Sequence, residues 1–289
     1  MTWSTQRSIA KTVVLLLPVV SISLAGCSDS GVRPAATGSP AVATGARLPA
    51  EAAHVHGAVI GQDAGSVLVA THNGLFLASG RGVDRVGPAL DLMGFTQAPD
   101  GDLLASGHPD AASQLPSPAG LMSSTDGGRT WRVRSRGGES DFHALTAAGS
   151  GAVGFDGTLR ATADRRSWRA GSIDVEPFAL AADLSGQTVL ATTEQGLRRS
   201  TDNAKTFSPV SDAPLLMLVA SAGVRSFLGV TPEGQLWASD DSGVTWARRG
   251  RVASRPQALA ARGEQVAVVA DQQILVSADR GVTFTVMGS

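Results

Sequence analysis

The sequence is poor in several residues on which protein chemistry often depends. Its 289 positions include one cysteine, no tyrosine and only 4% aromatic residues. A single cysteine allows no disulfide framework, and no reaction that needs a tyrosine side chain is open to the chain. The 24 basic and 25 acidic residues balance, so the sequence lacks the positive charge that nucleic-acid binding requires. Beyond the N-terminal region, no apolar period of 3.6 residues is long enough to predict a helix.

The one long apolar run covers residues 12–25, which is too short to cross a membrane and has the length of a signal-peptide core. The quartet Leu24-Ala25-Gly26-Cys27 follows. It resembles the bacterial lipoprotein signal, in which the cysteine is lipidated and becomes the mature N-terminus. The resemblance implies a signal peptide at residues 1–26 and acyl chains such as palmitate on Cys27. It also implies an anchor to the membrane of the bacterial cell envelope, outside the cytoplasm. An ordinary secretory signal is the alternative.

The segment after the cysteine differs in composition from the rest of the chain. It is rich in Ala, Gly, Ser, Thr and Pro and shows no periodicity. This composition is typical of a flexible linker. We therefore expect residues 27–53 to hold the lipidated cysteine and the linker, and residues 54–289 to form the folded domain.

The folded region is organised by a repeated turn, whose best copy is Ser124-Thr125-Asp126-Gly127-Gly128-Arg129-Thr130-Trp131. Its Ser and Asp side chains are suited to bond local backbone, Gly supplies a positive φ, and the Thr–aromatic pair starts a strand. Three near copies and one shortened copy lie at residues 200–207, 239–246, 277–284 and 162–168. We interpret the copies as structural turns. Their carboxylates are therefore not proposed as catalytic, namely Asp126, Asp202, Asp241 and Asp279.

Repetition at this spacing predicts a repeat architecture. Each unit contains four short apolar strands, here called A to D, and the turn lies between strands C and D. Six units fill residues 54–289 at about 39 residues each, close to the length of a propeller blade. Closing the blades in a ring buries both faces of each blade. We therefore predict an all-β fold, a six-bladed β-propeller.

The repeated turn resembles the Asp-box, or BNR repeat, of the sialidase-like propellers, which also occurs in sortilin-type receptors and photosystem assembly factors. Local segments such as His54-Val55-His56-Gly57 and Asp141-Phe142-His143-Ala144-Leu145 resemble bacterial lipoproteins labelled sialidase-like glycosyl hydrolases. The resemblance implies the propeller fold over nearly all of residues 54–289. It says little about activity, because one fold supports many functions.

Sialidase chemistry as the resemblance implies it needs a tyrosine nucleophile, a three-arginine clamp and an aspartate acid/base. The chain has no tyrosine, and it has no Arg-Ile-Pro segment for the first arginine of the clamp. The ordinary sialidase mechanism is therefore excluded. A glycosyl hydrolase that uses two carboxyl groups stays open as the alternative function, with Asp91, Asp141 and Glu176 as candidate catalytic residues.

All five histidines are predicted to lie on the face opposite the repeated turns. In an antiparallel blade, the starts of A strands and the ends of B strands share one face. His54, His56 and His143 lie at starts of A strands, and His72 and His108 follow B strands. Carboxylates occupy related positions, namely Asp91, Asp141 and Glu176. Because A strands line the channel of a propeller, we predict a cluster of histidines and carboxylates at one mouth.

Three interpretations of this mouth remain open from the sequence. The five histidines could bind a divalent transition metal as the cofactor, since imidazole and carboxylate groups suit zinc, copper, nickel or iron. They could instead bind a non-metal ligand, or a protein or glycan partner. In the third interpretation they only hydrogen-bond loops and water at the mouth. The sequence predicts a binding module and leaves enzymatic activity undecided.

Overall fold

The computed structural model describes residues 45–63, 65–110 and 113–289, and these residues form a ring of β-sheets. Within them, 24 strands make six four-stranded antiparallel sheets, one for each predicted unit. The prediction of an all-β, six-bladed β-propeller is confirmed.

In chain order, the strands are β1 (Val55–Ile60), β2 (Val67–Thr71), β3 (Gly74–Ser79) and β4 (Gly82–Val86) in blade 1; β5 (Asp91–Gln97), β6 (Leu103–His108), β7 (Leu121–Ser124) and β8 (Arg132–Ser135) in blade 2; β9 (Ala144–Ala148), β10 (Gly151–Phe155), β11 (Leu159–Thr162) and β12 (Trp168–Ala170) in blade 3; β13 (Pro177–Ala182), β14 (Val189–Thr193), β15 (Gly196–Ser200) and β16 (Ser208–Pro209) in blade 4; β17 (Leu218–Ser221), β18 (Phe227–Val230), β19 (Gln235–Ser239) and β20 (Ala247–Arg251) in blade 5; and β21 (Pro256–Arg262), β22 (Gln265–Ala270), β23 (Gln273–Ser277) and β24 (Thr285–Val286) in blade 6.

The burial of the strands differs across each blade, and it follows the apolar and charged residues of the sequence. The second strands are continuous apolar or small-residue runs, and β2 and β14 are buried at every position because neighbouring blades cover both faces. The outer strands β8 and β20 are rich in arginine, and none of their residues is buried. The apolar clusters lie between successive blades, so the ring is held together by contacts that no single blade can make.

The ring closes where blade 6 meets blade 1. The segment at residues 45–48 pairs with blade 6: the Ala46 N–H donates to the Met287 carbonyl at 2.6 Å, and the Leu48 N–H donates to the Gln272 carbonyl at 2.8 Å. The chain then passes through a 3-10 helix, Ala50–Ala52, into β1. Leu48 is buried in an apolar cluster built from both blades. The packed domain therefore begins before His54.

The four full-length copies of the repeated turn fold in the same way. In blade 2, one oxygen of Asp126 accepts hydrogen bonds from the Ser124 hydroxyl and the Thr130 N–H, and the other accepts from the Thr130 hydroxyl at 2.6 Å. The same set of bonds recurs around Asp202, Asp241 and Asp279. These carboxylates are thus used within their own turns, which we call the Asp turns. They fix the connection between the third and fourth strands of a blade.

Among the described residues, no helix has the length and apolar character needed to cross a membrane. The predicted signal peptide, Cys27 and most of the predicted linker lie outside the described residues.

Candidate functional site

The first strands of the six blades surround a central cavity of about 1050 Å³. These strands all begin at one end of the ring, and the connections between second and third strands open at the same end. Side chains from the two kinds of position therefore meet there. We call this end the mouth. It carries the residues predicted as the site, while the Asp turns follow third strands and lie at the opposite end.

β-Bulges turn several side chains into the mouth. The strand register shifts between Val55 and Gly57, so His56 is the extra residue of a bulge. The same irregularity occurs at Met93, Phe178 and Gln257 in blades 2, 4 and 6. All four residues line the central cavity. Bulges commonly re-aim a side chain beside a functional site, and here they do so at equivalent positions of four blades.

The first cluster consists of His56, His72 and Asp91. His72 Nδ1 lies 2.9 Å from Asp91 Oδ2, and His56 Nε2 lies 3.6 Å from Asp91 Oδ1. One ligand atom from each residue lies within 4.8 Å of the other two. His56 Nε2 and Asp91 Oδ1 are both buried, and neither has a hydrogen-bond partner among the described residues. Two buried polar atoms that face each other without a bond mark a place for a further group.

Burial lowers the pKa of His56 below its ordinary value, and Asp91 only partly opposes that shift. Nearby imidazoles of His72, His54 and His143 lower the same pKa further. His56 therefore favours the neutral form, in which one ring nitrogen has a lone pair available for ligation. Imidazole and carboxylate groups side by side are the donor set of a transition-metal site.

Local hydrogen bonds fix the turn that carries His72. The Thr71 hydroxyl donates to the Gly74 carbonyl at 2.9 Å and accepts from the Asn73 N–H. The Asn73 side chain donates to the Glu51 carbonyl at 2.6 Å, and the His72 N–H donates to the His54 carbonyl. The turn is thereby tied to the segment that closes the ring. His72 is presented by a rigid two-residue connection, although its ring is exposed.

The second cluster consists of His108, Asp141 and His143. Asp141 Oδ2 lies 3.1 Å from His108 Nε2 and 2.7 Å from His143 Nε2. Phe142, fully buried and stacked on Trp168, anchors the segment between Asp141 and His143. The Phe142 N–H donates to the Ser106 hydroxyl at 2.9 Å. Asp141 and His143 therefore project to the same side from a fixed backbone.

The structure brings all five predicted histidines to the mouth in two groups. The His54 ring lies 6.3 Å from the His72 ring, beside the first cluster. Of the candidate catalytic carboxylates, Asp91 and Asp141 each contact two imidazoles. Glu176 is exposed and lines the cavity without joining either cluster.

Sequence reasoning did not find the pairing between blades or one further carboxylate. Asp91 of blade 2 contacts His72 of blade 1, and Asp141 of blade 3 contacts His108 of blade 2. Glu194 follows β14, at the position that His72 occupies in blade 1, and it lines the cavity. The signal is present in the sequence, because Glu194 and His72 directly follow equivalent second strands.

Comparisons with known proteins bear on the fold. No family model matches the chain, and no curated protein matches it. Among solved structures, it is similar to the extracellular domain of a hybrid two-component system from B. thetaiotaomicron, with 12% identity and a TM-score of 0.55 over 84% of this chain and 34% of that chain. It is similar to YCF48 bound to a D1 peptide, with 14% identity and a TM-score of 0.51 over 88% of this chain and 86% of that chain. It is also similar to a GH74 xyloglucanase from Xanthomonas campestris, with 13% identity and a TM-score of 0.50 over 85% of this chain and 46% of that chain.

The chain thus spans about a third of the first structure and less than half of the third. Similarity at such low sequence identity shows a common fold. It does not show a common function, because one fold supports many functions. What the comparisons establish is that this chain is a β-propeller.

Proposed function

We propose that the chain is a lipid-anchored β-propeller of the bacterial cell envelope that binds a divalent transition metal ion through His56, His72 and Asp91. The observation that carries the proposal is the facing pair of buried atoms, His56 Nε2 and Asp91 Oδ1. They lie 3.6 Å apart and have no hydrogen-bond partner among the described residues. An ion between them would satisfy both, and His72 supplies a third donor.

The donor set favours metals of the zinc type over calcium or magnesium. Two imidazoles and one carboxylate suit zinc, cobalt, nickel or copper, whereas the hard alkaline-earth ions prefer oxygen ligands alone. Three protein ligands leave at least one coordination position for water or a bound molecule, as in catalytic zinc sites. The cavity below the mouth gives such a molecule access to the ion.

The lipoprotein signal at Leu24 to Cys27 supports the anchor and the location. The alternative, a glycosyl hydrolase that uses Asp91, Asp141 or Glu176, has less support. Such an enzyme needs two carboxyl groups free to act on the sugar. Asp91 and Asp141 are engaged by imidazoles, which leaves Glu176 as the one candidate outside the two clusters.

Metal binding tests the proposal directly. The full chain is purified in detergent without a histidine tag, stripped with a chelator and dialysed against zinc or cobalt, and bound metal is measured by mass spectrometry. We expect about one ion per chain at the three-ligand site. The double variant His56→Ala/His72→Ala and the single variant Asp91→Asn should lose it.

The matched control is Glu194→Gln, which removes one negative charge from the mouth and no proposed ligand. It should retain the ion. Equal metal content in the native chain and the double variant would show that the cluster does not bind metal. Loss of metal in Glu194→Gln would instead point to non-specific attraction by the charge of the mouth.

A further inference from the structure

A second cavity, of about 360 Å³, lies at the mouth beside blade 6, and we call it the blade 6 pocket. Every residue that lines it is polar, and four of the five carry side-chain N–H donors. The lining residues are Arg47, Arg255, Gln257, Asp271 and Gln272. Gln257 also lines the central cavity, so the two cavities are neighbours. A lining of this kind suits a small and strongly polar ligand.

The two guanidinium groups of the pocket have no carboxylate partner. Neither Arg47 nor Arg255 forms an ion pair within the part of the chain that the structure describes, and both residues are exposed. The nearest side-chain contact of Arg47 is with Gln272, whose Oε1 lies 3.5 Å from Nη2. A guanidinium presents its N–H groups as a planar fork that matches the oxygens of an oxyanion. Two of them on one pocket indicate that its ligand is an oxyanion.

An unusual hairpin turn supplies Asp271 and Gln272 to the pocket. These two residues are the whole connection between β22 and β23. Their φ values are 51° and 61°, in the left-handed region that non-glycine residues rarely adopt. The corresponding residues of blade 1, His72 and Asn73, do not have a positive φ. Backbone strain of this kind concentrates at functional sites, and here it is specific to the turn that lines the pocket.

Asp271 determines which oxyanion the pocket can hold. Its Oδ2 accepts a hydrogen bond from the Ser254 hydroxyl at 3.1 Å, and its Oδ1 has no partner among the described residues. An ionised carboxylate accepts hydrogen bonds and repels an anion that has no proton to donate. Inorganic phosphate keeps at least one O–H group at neutral pH, whereas sulfate has none. The pocket therefore favours phosphate over sulfate.

The pocket also spans the boundary at which the ring closes. Arg47 lies in the closing segment, residues 45–48, and Arg255 directly precedes β21 of blade 6. The two neighbours of Arg47 already donate backbone hydrogen bonds to blade 6, from Ala46 to Met287 and from Leu48 to Gln272. An anion held by both guanidinium groups adds charge-assisted hydrogen bonds across the same boundary.

We propose that the blade 6 pocket binds inorganic phosphate and that the bound ion strengthens the closure of the ring. Arg47 and Arg255 donate to the phosphate oxygens, and Asp271 accepts the phosphate proton. The Gln257 amide is held at the edge of the pocket by its hydrogen bond to the Ala53 carbonyl, at 3.0 Å. The inference does not depend on the metal site proposed above.

Calorimetric titration of the full chain in detergent, with a chelator and without added metal, tests the proposal. At pH 7 and equal ionic strength, we expect phosphate to bind about tenfold more tightly than sulfate, or more. Arg47→Gln and Arg255→Gln should each weaken phosphate binding about tenfold or more, because each removes a charged donor. Arg134→Gln, at an exposed arginine of β8 in blade 2, is the matched control and should keep the native affinity.

Asp271→Asn tests the selectivity separately. Asparagine tolerates the left-handed region, so the turn should be retained. Its amide donates as well as accepts, and it carries no charge. We therefore expect the variant to bind sulfate as tightly as phosphate. A native preference for phosphate in this variant would show that Asp271 does not recognise the proton.

Hydrogen exchange tests the effect on closure. Phosphate should slow exchange of the Ala46 and Leu48 amides and leave β10 and β14 unchanged. Exchange slowed equally in all blades would overturn the effect on closure. Native affinity in the double variant Arg47→Gln/Arg255→Gln, or an equal loss in Arg134→Gln, would overturn the phosphate site itself. Because every titration is made without metal, these outcomes are independent of the metal proposal.

Discussion

Single buried residues join neighbouring blades, and Arg165 is the clearest case. It lies in the shortened Asp turn of blade 3 with its side chain buried, and it reaches Asp100 and Asp102 of blade 2 at 2.8 and 3.0 Å. Its φ of 60° places its backbone in the left-handed region, which non-glycine residues rarely adopt. Two charge-assisted hydrogen bonds across a blade boundary should contribute measurably to stability.

Arg165→Ala should lower the free energy of unfolding by about 2 kcal/mol, since it removes both bonds and the packing of a buried side chain. The matched control is Arg166→Ala, one position along the same turn, whose side chain is exposed. That change should cost less than about 0.5 kcal/mol. Urea unfolding of both variants makes the comparison. Equal losses would show that the contacts with Asp100 and Asp102 add no stability.

Residue types at the mouth were predictable from the sequence, and their pairing was not. Strand starts and ends placed His56, His72 and His143 at one mouth because antiparallel topology leaves few alternatives. The contact of Asp141 with His108 depends on the angle between two blades. The bulge at His56 depends on strand register. The spacing of residues within one unit determines neither the angle between blades nor the strand register. The division of the histidines into two clusters was therefore visible only in the structure.

At the scale of the element, the Asp turns predict how stability depends on pH. Hydrogen bonds from the Ser167 and Arg166 N–H groups lower the pKa of Asp164 from 3.8 to about 2. Bonds from Thr206 and Ser200 likewise hold the pKa of Asp202 well below its ordinary range, against the opposing effect of burial. A carboxylate whose pKa is lower in the folded state stabilises the fold above its unfolded pKa. That stability is lost as the pH falls from about 4 towards 2 and below.

Asp202→Asn tests this element, because the amide keeps an acceptor and loses the charge. The variant should be less stable than the native chain at pH 6, and the difference should shrink as the pH falls below 4. Thermal unfolding from pH 6 to pH 2 measures it. Asp212→Asn, at an exposed position without a hydrogen bond among the described residues, is the control and should track the native curve. A constant difference at every pH would mean that the charge of Asp202 is not what stabilises the turn.

The turns also explain why the fold was easier to predict than the site. The turn is determined by local sequence, since the side-chain hydrogen bonds of Ser124, Asp126 and Thr130 all lie within eight residues. Four full copies and one shortened copy mark five of the blades, and the spacing of the short apolar strands supplies the sixth unit. One blade is too small to bury both of its faces, so the six units were predicted to close into a ring.

At the scale of the whole molecule, the ring depends on one closure that is not a copy of the others. Every other pair of neighbouring blades is consecutive in the sequence. Blades 6 and 1 are neighbours in the ring, but they come from the last and the first parts of the folded sequence. Residues 45–48 bridge them through backbone hydrogen bonds and the buried Leu48. Arg262 adds a second link, because its guanidinium donates to the Ile60 and Gly61 carbonyls at 2.7 and 3.0 Å.

The closure makes a directional prediction for Leu48→Ala. Truncating this fully enclosed side chain should cost about 2–5 kcal/mol, the range for a buried leucine, and the loss should be confined at first to the boundary between blades 6 and 1. Hydrogen exchange should rise in β1 and β22 and stay unchanged in β10 and β14, on the far side of the ring. Arg47→Ala, one residue away and exposed, should leave exchange unchanged throughout. A uniform rise in all blades would mean that the ring opens as one cooperative unit. In that case residues 45–48 would stabilise the whole domain and not specifically the boundary between blades 6 and 1.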